Sequence, residues 1–169
     1  MTGFWRDLAE TYIHPGRVIR RKAAAGPSEG QLLIYLMAAM LISFLLRFRG
    51  LNAVAHGPQN ASPPEAMIGG MFVAMLFFTP LFMYLVAMLS HLVAHMVGGK
   101  GDGAGARLAL FWTLLAVQPL SFLAALGAGV AAASGGAPLL AAAIPFLAGL
   151  WALWIWISAL VALERPTSG

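Results

Sequence analysis

Polar and apolar positions alternate along this chain in long blocks rather than in a short repeat. Four apolar blocks cover residues 31–48, 67–97, 108–132 and 139–163, and polar stretches bearing glycine and proline separate them. A helix needs about 20 mainly apolar residues to cross a hydrocarbon core of roughly 30 Å at about 1.5 Å per residue. The last three blocks meet that length and the first does so marginally, so the pattern predicts four transmembrane helices. Only Ser134-Gly135-Gly136-Ala137-Pro138 joins the last two, which forces an antiparallel hairpin.

Residues 1–30 follow another rule. Phe4, Trp5, Leu8, Ala9, Tyr12 and Ile13 recur at spacings of three and four, with Arg6, Asp7, Glu10 and Thr11 on the other face. This predicts a short amphipathic helix lying in the interface, broken at His14-Pro15-Gly16. Arg17, Arg20, Arg21 and Lys22 follow. With Trp5 they are the expected contacts to the lipid surface, through anionic headgroups, although a topogenic signal alone would use the same charges. The expected fold is therefore an all-α membrane protein, a four-helix transmembrane bundle preceded by a short interfacial amphipathic helix and followed by a tail at residues 164–169.

Composition narrows the class. Of 169 residues, 60% are hydrophobic and 9% charged, against roughly 45–50% and about 25% in soluble domains. So few charges cannot cover a water-facing surface. Cysteine is absent, which excludes disulfides, thiolate nucleophiles, zinc–thiolate sites and iron–sulfur ligation within the chain. The net charge of +4 does not point to nucleic acid, because the basic residues flank the apolar blocks. Arg6, Arg17, Arg20, Arg21, Lys22, Lys100, Arg107 and Arg165 fall on one side of the predicted membrane, and Arg47 and Arg49 on the other. That distribution places both termini in the cytoplasm. Heavy use of Ala, Gly and Arg suggests a bacterial inner membrane. No cleavable signal peptide is expected, since the first apolar block is itself a span. Residues 52–64 read as a flexible external loop, in which Asn60-Ala61-Ser62 matches a glycosylation sequon by chance.

The candidate chemistry is sparse. His91 and His95 stand at i and i+4 and could share a metal, but no third ligand accompanies them and no histidine lies on the third or fourth span to complete a haem site. No metal or other cofactor is expected. Thr113, Gln118 and Ser121 lie on the third span and predict interhelical polar contacts, or partners for carbonyls freed by Pro119. Pro80, Pro119 and Pro145 predict kinks. No Asp, Glu or Lys falls within the four blocks, whereas coupled transporters normally need an ionisable relay. Neither a phosphate loop nor a nucleophile with its base is present, and Gly98-Gly99-Lys100-Gly101-Asp102-Gly103 reads as a plain loop.

A basic opening with His14-Pro15-Gly16-Arg17-Val18-Ile19-Arg20-Arg21, a span, and then the stretch from Ser90 to Trp112 (SHLVAHMVGGKGDGAGARLALFW) resemble the bacterial branch of the Yip-domain family. The resemblance runs from His14 to about Trp156. It implies a small multi-pass protein with no catalytic residue; family members usually have five spans, and this chain has four. The expected function is non-enzymatic: an accessory or scaffolding subunit whose partners are the bilayer and another integral membrane protein or a second copy. A component of a small-molecule transporter or channel is the alternative, with Thr113 and Gln118 lining its path.

Overall fold

The computed structural model describes residues 2–55, 64–134 and 138–165. The Asn60-Ala61-Ser62 sequon, residues 135–137 of the hairpin loop and residues 166–169 of the tail lie outside the described residues.

Among those residues every regular element is helical: α1 (Thr2–Thr11), α2 (Pro15–Ala24), α3 (Glu29–Ala55), α4 (Pro64–Val73), α5 (Thr79–Met96), α6 (Gly103–Ala116), α7 (Gln118–Ala133) and α8 (Pro138–Glu164). A π-helical turn, Ala74–Phe78, fuses α4 to α5. Val117 alone separates α6 from α7. Among the described residues, four segments are long and apolar enough to cross a membrane: Glu29–Arg47, Ile68–Met96, Gly103–Ala133 and Ala141–Glu164.

Local chemistry explains where these rods begin and end. Ser28 and Gln31 form a reciprocal capping box at the start of α3, each side chain accepting the other's backbone N–H at 3.3 and 3.1 Å. α5 ends in a Schellman motif. Gly98 adopts a φ of 91°, its N–H returns to His95 O, and the Gly99 N–H returns to Ala94 O. Asp102 caps α6 by accepting the Gly105 N–H at 2.7 Å, so the third rod starts five residues before the apolar block at Leu108. α3 likewise continues to Ala55, past the expected start of the external loop.

The prolines act differently from one another. Pro80 cannot donate to the carbonyl four residues back, and the preceding turn widens into the π-helix, where both the N–H and the hydroxyl of Thr79 reach Ala74 O. Pro119 sits in the first turn of α7 and marks the break after α6. Pro145 stays inside a continuous α8.

α6 is the centre of the bundle. Ala106, Leu108, Phe111 and Trp112 are buried, and α3, α5 and α8 surround them. α7 pairs mainly with α8 and presents Leu123, Leu126 and Val130 outward. The N-terminal segment is not one helix followed by a loose basic stretch. Pro15 occupies the first turn of α2, where its missing N–H costs nothing, so His14-Pro15-Gly16 is a corner between two helices.

Candidate functional site: the capped end of the bundle

α2, the start of α3, the α5–α6 loop and the end of α8 gather at one end of the bundle, and α1 lies against α3 and α6, where the Tyr12 hydroxyl donates to Ala116 O and Leu8 borders Ile42, Leu46 and Phe122. α2 inserts Val18 and Ile19, both fully buried, between α6 and α8. Gly16 makes this approach possible, since a Cβ there would stand 3.0 Å from the Ala162 Cβ. Arg20 Nε donates to Ala162 O at 3.1 Å and ties α2 to α8.

Trp112 is the hub of the cap. Its Nε1 donates to Thr11 Oγ1 at 3.0 Å, and the Thr11 hydroxyl in turn donates to Asp7 O. Phe4 and Tyr35 meet the indole edge-on, with centroids 5.7 and 5.4 Å away. Lys22 Nζ stands 3.7 Å from the Trp112 ring centroid and 3.2 Å from Asp7 Oδ2. Arg21 pairs with Asp7 and, at 2.9 Å, with Glu10. Burial pushes the Asp7 carboxyl up, but hydrogen bonds from Lys22 and Arg21 outweigh it and hold the group below its ordinary value. The hydrogen bond from Arg21 holds Glu10 below its ordinary value as well.

A second constellation surrounds Glu164, whose side chain is buried at the end of α8. His91 Nδ1 lies 2.9 Å from Oε1, the Gly101 N–H donates to Oε2 at 2.9 Å, and the Lys100 N–H donates to Glu164 O at 2.8 Å. The glycine-rich loop is thus a clasp around one carboxylate. A Cβ on Gly99 would stand 2.6 Å from Glu164 Oε2 and 2.8 Å from Ala94 O, and one on Gly101 would stand 2.8 Å from Glu164 Cδ. The N–H groups of residues 98–101 are all used within the clasp, which leaves none of those four for a phosphate.

Gln118 forms a third polar node. Its Nε2 donates to Leu114 O at 2.8 Å beside the break before Pro119, and its Oε1 accepts from Ser43 on α3 at 3.2 Å. One side chain therefore serves a carbonyl near the break and bridges two rods.

The residues singled out from sequence fall in several environments. Gln118 makes an interhelical bond, whereas Thr113 donates to Ala109 O of its own helix and Ser121 faces outward. Trp5 is 67% exposed and free to meet lipid, and Arg17 points outward, 3.8 Å from Glu10. Arg20, Arg21 and Lys22 each have a partner within the protein as well. The His91 and His95 rings stand 6.2 Å apart between centroids, but their Nδ1 atoms turn to different partners, Glu164 Oε1 and, at 3.2 Å, Gly99 O. No group of three metal-ligating side chains occurs among the described residues. Glu164 follows the last apolar residue and so reads as tail in the sequence; its burial shows only in the fold. Thr11 and Trp112 carry no motif that would have marked them.

The four apolar rods and their helical cap define a multi-pass, all-α membrane protein. Comparison with protein-family models, curated proteins and solved structures gives no match.

Proposed function

We propose that the protein is a non-enzymatic scaffold or accessory subunit of a bacterial inner membrane, one that packs against a larger integral-membrane assembly. One observation carries this reading. α5 and α8 both lean on α6 but touch each other little, and a half-open groove of about 880 Å³ runs between them, lined by Leu89, Val93, Trp156 and Leu160 with Ser90 as a polar point. Lipid tails are as apolar as leucine, so helix association in a bilayer depends on shape and on a few hydrogen bonds. A preformed groove offers the shape, and the Ser90 oxygen, whose proton goes back to its own helix at Val86 O or Ala87 O, remains able to accept a bond from a partner helix. The distribution of Lys and Arg supports cytoplasmic termini. The stretch from Ser90 to Trp112 supports kinship with bacterial Yip-domain proteins as part of the same proposal.

The test is co-purification from native membranes in mild detergent, followed by mass spectrometry. A larger membrane protein should co-elute with wild type and be lost with Val93→Trp, which fills the groove. Partner-free elution, together with substrate-dependent flux in liposomes, would replace the scaffold with a transporter.

A further inference from the structure

We infer that the protein holds the phosphate of one anionic phospholipid in the basin between α1, α2 and the start of α3. This site goes beyond the scaffolding role and does not depend on it. The basin encloses about 460 Å³ and is lined by Arg6 and Asp7 of α1, Arg21 and Lys22 of α2, and Gln31 and Tyr35 of α3. α1 and α2 together carry five basic residues, Arg6, Arg17, Arg20, Arg21 and Lys22, against two acids, Asp7 and Glu10. Asp7 does not face the basin as an unopposed anion, because Arg21 and Lys22 both pair with it.

The donors left over are what a phosphate needs. Arg6 is exposed and makes no ion pair among the described residues. The Gln31 carbonyl oxygen is occupied by the Ser28 N–H, which leaves its amide N–H groups to donate. The Tyr35 hydroxyl has no hydrogen-bond partner among the described residues, although its ring is fixed against Trp112. Guanidinium, amide and phenol thus border one cavity with unused donors, and a phosphate oxygen accepts from all three. The position favours a lipid over a free phosphate. Gln31 and Tyr35 stand in the first turns of the span Glu29–Arg47, so the basin sits where that span begins, and the exposed Ile34 beside Tyr35 starts its apolar run.

The experiment uses the full chain in mild detergent, titrated with phosphatidylglycerol or phosphatidylcholine and read by native mass spectrometry. Phosphatidylglycerol should bind at one copy in preference to phosphatidylcholine. Arg6→Gln should weaken it about tenfold, the loss of one charge-assisted hydrogen bond. Gln31→Glu keeps the capping oxygen but places a negative charge in the basin, and should weaken it too. Lys100→Gln removes an exposed charge at the same end but outside the basin and should change nothing. Equal losses from Arg6→Gln and Lys100→Gln would overturn the site in favour of diffuse attraction. Displacement by inorganic phosphate at equal concentration would overturn the lipid assignment. Absence of any preference for phosphatidylglycerol would overturn both.

Discussion

Thr11 shows how much one hydroxyl does at the capped end. It accepts from the Trp112 indole and donates to Asp7 O, and it is almost wholly buried. Valine has nearly the same shape and neither function. Thr11→Val leaves a buried N–H without its acceptor, which costs about 1–3 kcal/mol. The variant should melt earlier in detergent and shift its tryptophan emission; an unchanged melting curve would show that the indole finds another acceptor. Gly99 makes the same point through volume. Gly99→Ala drives a methyl into Glu164 Oε2 and the Ala94 carbonyl, and overpacking of this kind costs about 1–3 kcal/mol. Glu164→Gln with Gly99→Ala should cost less than the sum of the two single changes, since both act on one contact, and thermal melts of the three variants would reveal additivity instead if the clasp were unimportant.

At the scale of elements, α1 is bound to α2 by carboxylates whose proton affinity is depressed in the folded state. The sign follows directly. Groups with lowered folded pKa values stabilise the fold fully above their unfolded values, and that stabilisation disappears as pH falls through the folded ones. The α1–α2 pairing should therefore be intact above pH about 5 and loosen on further acidification. Proteolysis within residues 1–25 across that range is the measurement. Asp7→Asn should abolish part of the transition, and protection that stays constant to strongly acid pH would assign the pairing to apolar contacts alone. The amphipathic period in residues 4–13 was legible because spacing alone carries it. That α2 is a helix, and that Val18 and Ile19 are its buried positions, was hidden by the four charges around two apolar residues.

Across the whole molecule, the ends of the rods assort by charge. The cap, the α5–α6 loop and Glu164 share one end, which also carries Lys100, Arg107 and Arg165. Reporter fusions at Met1, Asp102 and Gly169 should all read as cytoplasmic, and fusions at Asn60 and Gly135 as external. A cytoplasmic signal at Asn60 would reverse the proposed orientation.

The spans themselves needed no fold to be read. Lipid sets a length and an apolarity that any crossing helix must satisfy by its own residues, and the four blocks at 31–48, 67–97, 108–132 and 139–163 correspond closely to the segments at Glu29–Arg47, Ile68–Met96, Gly103–Ala133 and Ala141–Glu164. The destinations of the polar groups could not be read that way. Lys22 could have met a headgroup and lies over Trp112; Glu164 could have hung in water and lies within a ring of glycines and His91. Such choices depend on partners 60 to 100 residues away, and a desolvated charge goes wherever the folded chain supplies an opposite charge or a donor. Only the tertiary structure brings those partners together.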